Sequence, residues 1–146
     1  MPKYLAVLLA LFAFVTTGHS AERKMLTELA PAIEAASKSD KLIFIKYGRE
    51  ACGNCQSLKG LINDRKVKLF DSEFVLVDLD CDQPEISRAF NKKYRATIGD
   101  ARTLPFVVIA KPDGTPVAGI GGYKDAAAYN KFIMDAKKQA KAPAAN

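Results

Sequence analysis

The run Cys52-Gly53-Asn54-Cys55 constrains this chain more than any other feature. A short apolar stretch, Leu42-Ile43-Phe44-Ile45, precedes it, and a stretch that reads as helix follows. Two thiols three positions apart, delivered by a strand to a helix start, share one turn. There they can close a small disulfide ring and open it again. A helix start also offers unpaired backbone N–H groups and a positive dipole end, both of which favour thiolate over thiol. The local pattern therefore points to thiol–disulfide chemistry on an α/β scaffold.

The first residues read differently from the rest. Lys3 gives a basic start, Leu5 to Val15 is unbroken apolar sequence, and Thr16 to Ala21 is small and polar. This is the layout of a secretory leader over 1–21, cut after Ser20 or Ala21. The apolar run is shorter than the ~20 residues that span a bilayer, which favours a cleaved leader over an anchor. Expected from this are a periplasmic or secreted protein and no stable membrane anchor after cleavage. The single histidine, His19, leaves with the leader. Without imidazole, Ser-His and Cys-His nucleophile pairs and His-ligated zinc are excluded, as is the c-type haem signature, which needs His where Gln56 stands. Cleavage removes Lys3 and no acid, so the formal charge goes from +6 to +5. That modest charge comes without an Arg cluster interleaved with aromatics, and no nucleic-acid partner is expected. The chain has 146 residues, 49% of them hydrophobic, enough for one domain with its own core.

Along the remaining chain, apolar residues at Leu26, Leu29, Ile33 and Ala36 predict a helix over 22–39, kinked or split at Pro31. A buried strand follows over 41–47, then the CxxC loop, a helix over 56–63 weakened by Gly60, and a short helical turn over 67–70. A second buried strand covers 73–80, and a helix with Pro84 in its first turn covers 84–94. After a loop over 96–103, strands over 104–110 and 115–120 are joined by the turn Lys111-Pro112-Asp113-Gly114. Asp125 caps a last helix reaching about Lys138. The organisation is thus a leader (1–21), one domain (22–138) and a flexible tail (139–146). The first two strands pair parallel by the crossover rule and the last two antiparallel.

These residues resemble a family. A strand, then Ala51-Cys52-Gly53-Asn54-Cys55, a helix, a second strand, and Leu104-Pro105 opening a hairpin are similar to the thioredoxin-like superfamily, over roughly 22–138. Within it, Cys52 to Lys59, Phe74-Val75-Leu76-Val77-Asp78 and Lys111 to Gly114 resemble exported members of the type found in the C-terminal domain of disulfide-reducing transmembrane proteins. The resemblance implies a mixed sheet flanked by helices. It also implies Cys52 as attacking nucleophile, Cys55 as a more buried resolving thiol, and a redox-active disulfide between them. It further makes Pro105 a cis-proline and has Leu104 offer its backbone to a bound peptide. Two positions depart from the family pattern. Ala51 stands where a Trp usually precedes the first Cys, and Lys46 stands where thioredoxins proper carry a buried carboxylate. Asp78, on the next strand, is the expected partner of Lys46 in a reversed arrangement.

The reading is therefore an exported thiol–disulfide oxidoreductase that exchanges disulfides with other exported proteins, as reductant, and is served by an upstream redox partner. The sequence leaves the electron direction open, and no cofactor, no metal and a monomer are expected. A four-residue ring is a poor structural staple, and a structural zinc lacks ligands, so redox cycling is favoured over either. Arg49 is a candidate helper for Cys52 by proximity, Asn54 a candidate hydrogen-bond donor to sulfur, and Tyr47 and Tyr123 candidates to frame the site or fill core. Cys81, the odd thiol, reads as a packed residue at a strand end. The alternative reading is a non-catalytic binding module, a chaperone or soft-metal carrier, that uses the Leu104-Pro105 face.

Overall fold

The protein was analysed as a computed structural model, which describes residues 22–99 and 102–142. The leader reading over 1–21 and the end of the tail, 143–146, lie outside the described residues. Eight elements follow one another: α1 (Leu29–Ser39), β1 (Leu42–Gly48), α2 (Gly53–Asn63), β2 (Phe74–Asp80), α3 (Pro84–Ile98), β3 (Phe106–Ala110), β4 (Pro116–Gly121) and α4 (Ala126–Lys141). The strands form one sheet in the order β2-β1-β3-β4. β1 and β2 pair parallel across the α2 crossover, while β3 runs antiparallel to both β1 and β4. The mixed sheet is the one expected.

Because strand side chains alternate, β1, β2 and β3 each supply two cores. Ile43, Ile45 and Tyr47 of β1 join Val77, Leu79 and Phe106 under α1 and α3. Phe44 joins Leu76, Val107 and Ile109 under α2 and α4, against Leu58, Ile62, Tyr129 and Ile133. With both faces covered, β1 and β3 read as continuous apolar runs rather than alternating ones. Lys46 shares the parity of Phe44, which places a cation on the α2 face.

Several expected boundaries move. Residues 22–28 are not helical. Leu26 bridges to Val77 beside β2, its N–H donating to Leu76 O at 2.9 Å and its carbonyl accepting from Asp78 N–H at 2.8 Å. The helix starts only at Leu29, so Pro31 falls in its first turn, where its missing N–H has no intrahelical partner to lose, and no kink is needed. Residues 67–70 form no helical turn. Val67 and Leu69 are buried while Phe70 points out, an alternation that suits extended chain. α3 continues past Tyr94 to Ile98, β3 begins at Phe106 rather than Leu104, and α4 extends beyond Lys138 to Lys141. Among the described residues no helix is long and apolar enough to cross a membrane.

Candidate active site

β1 ends at Gly48, and the chain turns through Arg49, Glu50 and Ala51 into α2. Cys52 is the N-cap of that helix, extended at φ −92° and ψ 109°, and its sulfur accepts a hydrogen bond from Cys55 N–H at 3.2 Å. The turn is tied down by the Gln56 amide donating to Glu50 O at 2.9 Å and by Gln56 N–H donating to Cys52 O at 3.1 Å. Cys52 and Cys55 are joined by a disulfide, with Cα atoms 5.2 Å apart. Their environments differ. Cys52 is half-buried and Cys55 is fully buried.

Gly48 explains the burial of Cys55. A Cβ added at Gly48 would stand 2.7 Å from Cys55 Sγ, so only glycine lets the end of β1 pass so close beneath the sulfur. Sequence reading did not single out this glycine. Its signal was a glycine closing an apolar strand just ahead of the CxxC.

The Leu104–Pro105 peptide is cis, as the resemblance implies. Pro105 is buried and directly precedes Phe106, whose register partner on β1 is Tyr47. The loop is therefore carried to the same end of the sheet as the CxxC. It is held by Gly122 N–H, which donates to Pro105 O at 2.9 Å and Thr103 O at 3.2 Å. Gly122 needs φ +77° for this, a left-handed conformation suited to glycine. Among the described residues, neither the N–H nor the C=O of Leu104 has a backbone hydrogen-bond partner.

Lys46 and Asp78 are cross-strand neighbours and form an ion pair, with the Lys46 side chain 4% exposed and that of Asp78 26%. This is the reversed pair expected. Both line a small cleft of about 190 Å³ whose wall also includes Gly48, Glu50 and Lys59. Lys59 is held above its ordinary value by its hydrogen bond to Glu22, 2.5 Å away, with the charges of Asp78 and Glu50 adding to the effect.

The partners found for Arg49 are Cys81 and Asp82. The β1–β2 ladder ends at Gly48 opposite Asp80, and Cys81 N–H donates to Gly48 O at 2.7 Å, which sets Arg49 beside Cys81 and Asp82. Its guanidinium lies 3.3 Å from Asp82 Oδ1, and the Cys81 sulfur, followed by the charges of Asp82 and Asp80, raises its already high pKa. Cys81 itself is half-buried and packs against the α1/α3 core, in line with a packed residue. Asn54 is exposed, and the donor to the Cys52 sulfur is a backbone N–H instead. Tyr47 is core, stacked on Phe90 with ring centroids 4.0 Å apart and its hydroxyl 2.8 Å from Ser87 Oγ. Tyr123, next to Gly122, is 40% exposed and meets Tyr129 edge-on.

A family model described as thioredoxin-like matches residues 24–112. Among solved structures, a point mutant of a thioredoxin from Halobacterium salinarum aligns with a TM-score of 0.55 at 18% identity, over 76% of this chain and 88% of its own. The germline-specific thioredoxin Deadhead from Drosophila melanogaster aligns with a TM-score of 0.57 at 18% identity, over 77% of this chain and 98% of its own. At such identities the likeness is one of fold. None of the curated proteins matched the chain. Matched by its family model over more than half its length, and carrying a CxxC disulfide at the start of α2, the chain belongs to the thioredoxin-like family.

Proposed function

We propose that this protein is an exported thiol–disulfide oxidoreductase that reduces disulfides in other exported proteins. The observation that carries the reading is the asymmetry of the sulfur pair. One sulfur is half-exposed at a helix N-cap with an N–H aimed at it, and the other is sealed under Gly48.

The steps follow from that asymmetry. In the reduced protein the Cys52 thiolate attacks one sulfur of a substrate disulfide. A mixed disulfide forms, and the displaced substrate thiolate takes up a proton. The helix start and the Cys55 N–H stabilise the Cys52 thiolate before attack. Cys55 then loses its proton and attacks Cys52 Sγ. The second substrate thiolate leaves, and the protein keeps its own disulfide. Two electrons have passed to the substrate, and a dithiol partner upstream must return them. Leu104, whose backbone groups find no backbone partner among the described residues, is the place for an extended substrate strand to hydrogen-bond. The leader reading makes the setting periplasmic or secreted, with the protein acting as a monomer. The branch resemblance at Cys52–Lys59 supports the reducing direction.

The test is disulfide reduction in insulin by the dithiol-charged protein. Activity is expected to vanish in Cys52→Ala, while Cys55→Ala accumulates a mixed disulfide with substrate that gel electrophoresis without reductant resolves. A Cys52→Ala protein that still binds its client, together with no trapped species in Cys55→Ala, would assign the fold to a non-catalytic binding module. A reduction potential well above that of the glutathione pool would reverse the electron direction.

A further inference from the structure

A second surface lies apart from the sulfurs. Between the segment 66–73 and α4 runs a groove of about 560 Å³. Its loop wall sits at the start of β2, the opposite end of the sheet from Gly48. Two hydrogen bonds fix that wall to the helix. Lys68 N–H donates to Asn130 Oδ1 at 2.7 Å, and the Asn130 amide donates to Lys66 O at 3.0 Å. The groove is therefore a built feature and not a gap between loosely placed parts.

Its lining has two characters. Among the described residues three large apolar side chains are exposed, and two of them, Phe70 at 57% and Met134 at 50%, line this groove with Ile133 at its floor. Five lysines line it as well, against the single acid Glu73. Lys137 pairs with Glu73 and Lys131 with Asp135, both at 2.6 Å. Lys68, Lys138 and Lys141 form no ion pair among the described residues. Exposed aromatic and thioether groups inside a cationic rim require an occupant that is apolar and anionic together.

Shape and charge select among such occupants. A second copy of this face would bring five lysines against five. A flat bilayer contacts protruding residues and leaves a concavity unfilled. The groove follows α4 from Ala127 to Lys141, a distance of ~21 Å at ~1.5 Å per residue, which suits a linear segment. We propose that this groove receives an acidic amphipathic segment of a partner protein. Its apolar side chains seat between Phe70 and Met134, and its carboxylates face Lys68, Lys138 and Lys141. The site does not depend on the redox reading. Bound along α4, a partner rests on residues that include neither Cys52 nor Cys55, so the disulfide stays uncovered, and the local concentration of any client the partner carries is raised.

The test uses a synthetic peptide of about 14 residues, the helix length that spans ~21 Å, with Leu and Phe at i, i+3, i+4 and i+7 and Glu elsewhere. It is titrated into the 15N-labelled protein and followed by amide chemical shifts, with no redox step. Shifts are expected at Lys68, Phe70 and along Ala127–Lys141, weakening with added salt. Phe70→Ser and the double variant Lys138→Glu/Lys141→Glu should each reduce affinity about tenfold or more, with insulin reduction unchanged. Both change exposed side chains, and an unchanged amide spectrum confirms that they fold. The proposal is overturned if the groove amides do not shift, if a peptide with Lys in place of Glu binds as well, or if both variants keep full affinity. It is equally overturned if vesicles of phosphatidylglycerol and phosphatidylcholine engage these residues while the peptide does not, which would assign the face to lipid.

Discussion

Lys46 is a cation on a face otherwise covered by Phe44, Leu76 and Val107, and burial of that kind is unfavourable unless a partner compensates it. Asp78 does so, and the pair lines a cleft that reaches Gly48, on which Cys55 Sγ rests. Removing the cation leaves the Asp78 charge in that cleft with Lys59 as its remaining neighbouring cation. Lys46→Met should therefore move the thiolate titration of the reduced protein to higher pH. An absorbance titration of the thiolates that matches wild type would show that the pair does not act on them. Tyr94 offers a second residue-scale test. Its ring is fully buried, its hydroxyl has no hydrogen-bond partner among the described residues, and burial, followed by the charge of Asp113, pushes its phenol well above the ordinary 10.0. The folded chain thus keeps a proton that the unfolded chain releases above pH ~10, so this group makes stability fall as pH rises past that point. Tyr94→Phe should flatten the alkaline limb of the stability profile. It should also stabilise the protein at neutral pH by about 1 kcal/mol, because an unsatisfied polar group is gone. Denaturant midpoints measured across pH settle both. At this scale the spacing of the two thiols made them legible from residue type alone, while the cis Pro105 and the Lys46–Asp78 partnership came from the family resemblance. The direction of Arg49 and the contact under Cys55 were not legible, since both depend on how β1 ends against β2.

The segment 66–73 shows how an element without regular structure is held in place. Its anchor is Asn130 on α4, which satisfies one donor and one acceptor of the loop at once. Asn130→Ala removes both bonds and should cost about 1–3 kcal/mol. Amide exchange at Lys68 should rise with it, while the disulfide end is undisturbed. Exchange at Lys68 equal to wild type would mean that the buried Val67 and Leu69 suffice to hold the loop. This segment also marks the limit of sequence reading for elements. The helices and strands with full apolar runs were found with their type and order. The misread stretches, 22–28 and 67–70, are short, and their apolar residues are spaced ambiguously. Leu26 continues the period of α1, yet it is used by β2 as a neighbour. No local signal separates those two uses, because the choice is made by an edge strand distant in sequence.

Across the whole molecule, one sheet with two cores gathers the CxxC turn and the cis-Pro loop at one end and leaves a lysine-rimmed groove reaching the other. The parallel β1–β2 and antiparallel β3–β4 pairings followed from their connections, whereas the antiparallel β1–β3 pairing that joins them into one sheet did not. Export belongs to this scale too. The protein recovered from the periplasm should begin at Ala21 or Glu22 by intact mass, and a mass that retains His19 would remove the leader reading. The meeting of β1 and α2 has a further consequence. With backbone packed against one sulfur, and no room there even for a methyl group, a visiting disulfide has a single doorway. On the proposed reading, access and the activation of Cys52 select the same sulfur for the first encounter, and the inner thiol can spend its electrons only on a neighbour already inside.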